Sequence, residues 1–191
     1  GGITEEDVLG DIAGGCAATV AYLDGSDWGG INTGVTIDAN GVLSGSKFMV
    51  PDTAHATWIA VVGSNAAGNS VVALVAGSDV SAQAHASHAL IDLTKRASTL
   101  DFSGIKAQRV LSGDKVTSAV RDYLLIGALL TAAEAVGSTS ACLAGIVDYL
   151  KTRKQFGKLI GSFQALKHPT VDIYVGMEHS RSLVYHASSE I

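Results

Sequence analysis

The sequence predicts an α+β protein, in which an antiparallel β-barrel or sandwich domain is followed by two long antiparallel helices, a partial four-helix bundle. Three observations support this fold class. Between residues 17 and 110, short β-branched runs alternate with turn signals at a spacing of roughly 8–12 residues, as in an antiparallel sandwich or barrel. A long segment of small apolar residues follows at about 116–150. At about 163–190, apolar residues then recur with a roughly helical period.

The β-domain is expected to hold six to eight strands. Seven runs carry the signal, at residues 18–23, 33–37, 42–50, 58–63, 70–75, 80–84 and 97–102. Residues 1–16 are interpreted as the remnant of an N-terminal helical region, with a short helix that begins near Thr4 and has an acidic first turn. The predicted divisions are therefore residues 1–16, a middle β-domain at 17–110 and a partial C-terminal helical domain at 111–191.

The first long helix is expected to begin after an N-cap at Ser112 and to reach about Lys151. Residues 123–147 carry a single charge, Glu134, so a membrane span is an alternative interpretation. Four hydroxyl residues make this segment less apolar than a typical span, and its small residues favour close helix packing. We therefore expect no membrane span. Pro169 should kink or delay the second helix.

Charge is distributed unevenly along the chain, whose net charge is −5. Residues 1–94 hold ten acidic side chains and one basic side chain, Lys47, whereas residues 95–191 hold twelve basic and eight acidic side chains. This asymmetry is typical of an acidic domain beside a domain that faces an anion. The basic residues form no long stripe and the whole chain is acidic, so nucleic acid is not an expected partner.

Neither the cysteines nor the histidines predict a metal site. Cys16 and Cys142 stand far apart in unlike contexts, which indicates no disulfide framework and favours a reducing, cytoplasmic location. Among the six histidines, His85 and His88 are three residues apart and His179 and His186 seven apart, and no carboxylate or thiol completes either pair at ligand spacing. No serine has the glycine elbow of a hydrolase nucleophile, so a Ser-His-Asp site is not expected either.

The densest chemistry lies at residues 149–167, between the two predicted helices, where we expect a helix–turn–helix corner. Four cations fall within eight residues there, interleaved with aromatic rings and glycines: Lys151, Arg153, Lys154, Phe156, Gly157, Lys158, Gly161 and Phe163. An arginine fork, mobile lysines and a neighbouring ring suit a phosphate-bearing ligand with a flat group. The alternative is that the cations only complement the dipole at a helix C-terminus, ahead of a glycine-rich turn.

These residues also carry a family resemblance. Arg153-Lys-Gln-Phe-Gly, then Ile160-Gly-Ser-Phe-Gln-Ala, resemble the C-terminal domain of acyl-CoA dehydrogenases. In that family the arginine and the residue two positions later touch the diphosphate of an FAD that is held mainly by the neighbouring subunit. The phenylalanine, and the glutamine of the second helix, lie against the same cofactor. The resemblance therefore implies FAD-binding roles for Arg153, Gln155, Phe156 and Gln164.

The β-domain resembles the middle domain of the same family, with departures at the flavin. Gly25-Ser-Asp and Leu43-Ser-Gly-Ser-Lys match the family's pattern, and the resemblance implies that Ser26 and Met49 face the cofactor. Where the family has Thr-Glu-Pro before Gly-Ser-Asp, this chain has Ala21-Tyr-Leu. Where the family has an aromatic residue and Ile-Thr-Asn, this chain has Met49-Val-Pro-Asp, and proline has no N–H to donate. The flavin edge of the site is thus altered, whereas the diphosphate corner is intact.

The resemblance implies an FAD-dependent oxidoreductase that acts on the CH–CH bond of acyl-CoA thioesters. The family's glutamate base lies beyond this chain in many members, or at a place that aligns near Gly127 in others, so we predict no catalytic residue and expect this fragment to be inactive alone. Two alternatives remain: a non-catalytic structural or partner subunit of an acyl-CoA dehydrogenase-type complex, and a flavin-free binding module. The apolar helices further predict a homo-oligomer that is built through them.

Overall fold

The computed structural model describes residues 4–25, 34–80 and 85–191. In chain order, the elements are α1 Glu5–Ala13, β1 Ala18–Ala21, β2 Val35–Ile37, β3 Leu43–Pro51, β4 Trp58–Ser64, β5 Ser70–Ala76, β6 His85–Ser87, β7 Ala97–Asp101, β8 Arg109–Ser112, α2 Asp114–Thr152, β9 Lys154–Gln155, β10 Lys158–Leu159 and α3 Gln164–Ser189. They fall into two compact units, residues 1–120 and 121–191.

The first unit is organised on one eight-stranded sheet in the order β6-β7-β3-β2-β4-β5-β8, with β1 also paired to β4. Most neighbours are antiparallel, but β1 and β2 both run parallel to β4. Strand β4 is therefore hydrogen-bonded along both edges, to β1 and β2 on one side and to β5 on the other.

The two faces of the sheet bury different residues because side chains alternate along each strand. One face supplies the main core, which is dominated by aliphatic side chains with Phe102: Ala21, Val35, Ile37, Leu43, Val50, Ile59, Val61, Val71, Ala73, Val75, Val80, Leu100 and Phe102. On the other face Trp58 and Leu74 pack with Val8 of α1. Asp11 of α1 accepts a 2.9 Å hydrogen bond from the Trp58 indole N–H, which ties the helix to the sheet.

Lys47 is the one charged side chain that is fully buried in the described part of the chain. Its ammonium group donates to the carbonyl oxygen of Tyr22 at 3.0 Å and forms an ion pair with Asp24. Burial lowers the pKa of Lys47, and the hydrogen bond and negative charge of Asp24 oppose that shift. The pair therefore joins the end of β1 to the middle of β3.

The α+β fold class is confirmed, but a closed barrel is wrong. Among the described residues the sheet ends at β6 and β8, which do not pair with each other. The prediction of wholly antiparallel pairing is also wrong, because an apolar pattern identifies a strand without fixing its neighbour or its direction. Six of the seven predicted runs overlap strands, whereas β6, β8, β9 and β10 were not predicted. The seventh run, 80–84, lies outside the described residues except for Val80.

The second unit contains most of α2, the β9–β10 hairpin and α3. Helix α2 confirms the predicted first long helix, but Ser112 is not its N-cap because β8 continues through that residue. Gly113, at φ 97°, makes the turn between strand and helix. Helix α3 begins at Gln164, five residues before Pro169, so the expected delay is wrong, whereas the alternative of a kink at Pro169 stays a prediction.

Much apolar surface remains open on these helices. Within residues 121–191 the described structure buries only two hydrophobic side chains, Leu143 and Met177. An apolar groove of about 960 Å³ is lined by residues of α2 and α3. By length and composition alone, α2 is the one helix among the described residues that could cross a membrane, and its most apolar stretch is 0% buried. The absence of a membrane span therefore stays a prediction.

We expect Asp24→Ala to destabilise the first unit by about 3–5 kcal/mol, because it leaves the Lys47 ammonium buried without its carboxylate partner. Urea unfolding followed by tryptophan fluorescence measures the change. Glu6→Ala removes the same charge from an exposed side chain of α1 and should change the unfolding free energy little. Equal effects of the two substitutions would contradict a structural role for the buried pair.

Candidate functional site

The chain reverses between α2 and α3 through a two-residue β-hairpin. Helix α2 ends at Thr152, and the amide of Arg153 still donates to the carbonyl oxygen of Tyr149 at 2.9 Å. Strands β9 and β10 then pair, and the amide of Ile160 donates to the carbonyl oxygen of Arg153 at 2.9 Å. The predicted helix–turn–helix corner is thus a helix–hairpin–helix corner.

The hairpin turn consists of Phe156 and Gly157, and both have positive φ, at 52° and 76°. This is the backbone that a type I′ turn requires, because it matches the twist of the two strands. Glycine adopts it freely, whereas a bulky aromatic residue in the left-handed region is a genuine outlier. Such strain at an exposed position indicates a functional constraint.

Close backbone packing fixes the second side of the corner. A Cβ on Gly161 would lie 2.7 Å from the carbonyl oxygen of Leu150, so only glycine fits where the chain passes the last turn of α2. The hydroxyl of Ser162 donates to the carbonyl oxygen of Leu159 at 2.7 Å and closes the short 3₁₀ turn before α3. The hairpin is therefore held at both ends.

The corner presents free positive charge. Lys151, Arg153, Lys154 and Lys158 are all exposed, and none forms an ion pair within the described ranges. The Lys158 ammonium lies 4.7 Å from the centroid of the Phe163 ring, a cation–π contact. Positive charge and one ordered aromatic face thus lie side by side.

Phe156 lies at the tip of the corner and is 85% exposed. Its ring meets that of Phe163 edge to face, with centroids 6.3 Å apart. A large apolar ring held in solvent by a strained backbone gains little for stability. The arrangement instead suits a ligand that combines an anionic group, for the cations, with a flat group, for the ring.

Four of the six predicted cofactor residues belong to this corner. Arg153 follows α2, Gln155 is the last residue of β9, Phe156 is in the turn and Gln164 is the first residue of α3. Met49 belongs to the first unit, and Ser26 lies outside the described residues. Their contacts with a cofactor stay predictions.

Met49 lies in an irregular part of β3. The register with β7 shifts between Lys47 and Val50, as in a β-bulge, and Met49 has φ 52°. Pro51 has no N–H, and its carbonyl oxygen accepts a 2.8 Å hydrogen bond from the Thr19 hydroxyl. This segment offers no hydroxyl and no N–H at residue 51, so it does not supply the flavin-edge donors that the resemblance leads one to expect.

The sequence placed Lys158 and Phe163 in the corner but gave neither of them a cofactor role. The signal that would have linked Lys158 to the predicted cofactor residues is the Phe156-Gly157 pair. When it is interpreted as a two-residue hairpin turn, it aligns Lys158 directly with Gln155 across the strands.

We expect Phe156→Asn to keep or raise stability, by about 1 kcal/mol, because asparagine tolerates the left-handed backbone better than phenylalanine. Gly157→Val, at the neighbouring turn position, should lower stability by more than about 1 kcal/mol because a β-branched residue is strained there. Thermal unfolding of both variants checks this. If Phe156→Asn proved the more damaging change, the ring would be needed for folding.

Comparisons with known proteins agree with the corner. Residues 117–191 match the family model for the acyl-CoA dehydrogenase C-terminal domain. The acyl-CoA dehydrogenase IpdE2 of Mycolicibacterium smegmatis is 53% identical over 58 residues, which are 30% of this chain and 19% of that protein.

Two solved structures are similar over nearly the whole chain. Glutaryl-CoA dehydrogenase from Mycobacterium smegmatis has a TM-score of 0.79 at 20% identity, covering 100% of this chain and 53% of that chain. A variant of the Tcur3481-Tcur3483 steroid ACAD has a TM-score of 0.76 at 26% identity, covering 97% of this chain and 51% of that one. The chain thus spans about half the length of these proteins. The matched domain at residues 117–191, the similar curated proteins and the similar solved structures together support placing the chain in the acyl-CoA dehydrogenase family.

Proposed function

We propose that this chain forms part of an FAD-dependent oxidoreductase that acts on the CH–CH bond of acyl-CoA thioesters, and that its hairpin corner binds the FAD diphosphate. The observation that carries the proposal is the exposed, unpaired positive charge around a strained Phe156. When bound, FAD would supply the hydride acceptor, and the protein would supply binding and orientation.

Each corner residue has a distinct part in this proposal. The Arg153 guanidinium can grip a diphosphate oxygen pair, and the Gln155 amide can donate to a further oxygen. The Phe156 ring covers the flat part of the cofactor, and Gln164 lies at the start of α3 beside it. By the family resemblance, this FAD belongs mainly to a neighbouring subunit, so the corner completes a partner's site.

A catalytic base is not evident in this chain. Position 127, where some family members carry the glutamate, is a glycine in this sequence, and Glu134 is exposed on α2 two turns further along. The flavin-edge segment at Met49 and Pro51 also lacks the expected donors. We therefore propose that the isolated chain binds the cofactor weakly and does not turn over acyl-CoA.

A second candidate function is a non-catalytic subunit that pairs with another acyl-CoA dehydrogenase-type chain. The altered segment at Met49 and Pro51 favours this candidate. One similar solved structure also has a double name, Tcur3481-Tcur3483, as a protein of two components would. A flavin-free binding module is a third possibility. A flavin absorbance scan of the purified protein separates the FAD-dependent oxidoreductase from the two other candidates, because neither of those gives an absorbance band from the cofactor.

We also propose that the chain is a homo-oligomer built through antiparallel C-terminal helices. The hairpin that reverses the chain and the 3.4 Å hydrogen bond from the Arg181 guanidinium to the Ser140 hydroxyl favour this pairing. Two helices cannot cover all of their apolar surface alone, and a bundle needs about four. The compartment that we propose is a reducing cytoplasm, since both Cys16 and Cys142 are free.

We expect Arg153→Ala to weaken FAD or ADP binding by about 1.5–3 kcal/mol, the contribution of a hydrogen bond to a charged group. Calorimetric titration measures it. Arg121→Ala removes the same charge from α2, roughly 48 Å away along the helix axis at 1.5 Å per residue, and should leave affinity unchanged. Unchanged affinity in Arg153→Ala would leave only a helix-dipole role for that charge.

The isolated chain should show no acyl-CoA oxidation above background, because it presents no glutamate base at the family's position. Dye reduction with short, medium and long acyl-CoA thioesters checks this. Clear turnover of any of these substrates would refute the proposed inactivity.

Ala135→Arg should break the oligomer. Ala135 lines the apolar groove on α2, within the small-residue stretch 132–141 where close approach requires small side chains. Light scattering behind size exclusion at micromolar concentration measures the mass. Lys115→Ala, an exposed position of α2 outside both the groove and the corner, is the control and should not alter the mass. A monodisperse monomer of the unmodified chain would refute the homo-oligomer.

A further inference from the structure

A small polar cavity lies in the β-unit, where the segment at Met49 and Pro51 continues into the turn after β3. It has a volume of about 220 Å³ and lies between the turn after β3 and the strands β6 and β7. Its polar lining comes from both sides: Asp52, Thr53, His55, Ser87, His88, Arg96 and Ser98. The volume is below the range of roughly 300–1,000 Å³ that is typical of pockets for drug-sized ligands. The cavity thus fits a small ligand.

Ser98 gives the cavity a buried donor. It is 7% exposed and is paired across the sheet with Val50 of β3 and Ser87 of β6. Directly opposite residues share a face of the sheet, so the Ser98 hydroxyl lies on the side of the Val50 core side chain. In the described part of the chain no group hydrogen-bonds to this hydroxyl. A buried hydroxyl without a partner is costly, which indicates an absent ligand or ordered water.

Arg96 supplies charge at the rim. Its Nη1 lies 3.4 Å from Nε2 of His55, and its Nε lies 3.7 Å from a carboxylate oxygen of Asp52. The second distance is too long for a hydrogen bond, and both partners are about two-thirds exposed. A guanidinium has five N–H groups, so most of its donors remain available.

The backbone holds the Asp52 turn in an unusual conformation. Asp52 has φ 47°, and its amide donates to the carbonyl oxygen of Arg96 at 3.0 Å. The amide of His55 donates back to the carbonyl oxygen of Asp52 at 3.2 Å. This turn therefore stays beside β7 and fixes one wall of the cavity.

His88, the second histidine that lines the cavity, already has partners within the protein. Nε2 of His88 lies 2.9 Å from the Thr99 hydroxyl, and its ring packs edge to face on Phe48. The charged and titratable groups that face the cavity are thus Asp52, His55, His88 and Arg96. The Asp52 carboxylate and His55 Nε2 both lie near the guanidinium, which still has N–H donors to offer.

We propose that this cavity binds a small oxyanion, a phosphate or carboxylate group, between the Ser98 hydroxyl and the Arg96 guanidinium. A charged acceptor would satisfy the buried hydroxyl and use the spare guanidinium donors. The Asp52 carboxylate opposes the anion and limits its affinity. The oxyanion is either free in solution or the phosphate of a nucleotide. None of the residues that line this cavity belongs to the FAD corner.

The test is a titration of the full ¹⁵N-labelled chain with inorganic phosphate, acetate or ADP at constant ionic strength, followed by amide chemical shifts. Phosphate should cause saturable shifts at residues 52–55 and 96–98. Ser98→Ala should weaken binding about tenfold, as for one hydrogen bond to a charged group. Arg96→Gln should abolish saturation, and Asp52→Asn should tighten binding.

Arg109→Gln is the matched control, since Arg109 pairs with Glu5 and does not line the cavity; its affinity should equal that of the unmodified chain. If ADP shifts the same amides and Ser98→Ala weakens that binding too, the ligand is the phosphate of a nucleotide. If inorganic phosphate shifts them and ADP does not, the ligand is a free oxyanion. Linear, non-saturating shifts, or affinity unaffected by Ser98→Ala, would overturn the proposal and leave a cavity filled by water. If Arg96→Gln fails to fold, the affinities of Ser98→Ala and Asp52→Asn for phosphate still test whether the cavity binds an oxyanion.

Discussion

The reversal of the chain between two long helices is the constraint on which the candidate site depends. Helix α2 ends at Thr152 and α3 begins at Gln164, so the polypeptide must turn back within eleven residues. The two-residue hairpin here does this with a type I′ turn, in which both turn residues have left-handed backbones. Glycine meets that requirement at 157, but Phe156 meets it under strain. The turn thereby holds an aromatic ring in solvent, beside cations that have no carboxylate partner in the described structure.

The two units contribute different chemistry to the proposed function. In the sheet, the buried pair of Lys47 and Asp24 joins β1 to β3, which leads directly into the irregular segment at Met49. That segment has lost the donors expected at a flavin edge, whereas the hairpin keeps every predicted diphosphate contact residue exposed. A chain that binds the diphosphate of a cofactor, but offers no hydrogen-bond donors to its flavin ring, would contribute to cofactor binding in a partner subunit without catalysing the reaction itself. This contrast favours a structural contribution over independent catalysis.

The sequence predicted the elements better than their arrangement. Alternating apolar residues located six strands, and the long small-residue segment located α2, because local burial patterns suffice for both. Strand order, the parallel pairing of β1 with β4 and the open sheet were not predictable, since they depend on contacts between distant residues. The corner at Arg153 was identified from charge density, but its hairpin was missed because the Phe156-Gly157 turn is atypical. Nothing in the sequence singled out Ser98 as a site residue, because the residue becomes buried only when the strands pair in the folded sheet.

The central claim is that Arg153 binds the diphosphate of an FAD that another subunit holds. A crystal structure of the assembled protein grown with FAD tests it most directly. The account predicts the Arg153 guanidinium within about 3.2 Å of a diphosphate oxygen, with the Phe156 ring against the same cofactor and the rest of the FAD on a second subunit. An FAD bound elsewhere, with Arg153 in solvent, would contradict the account.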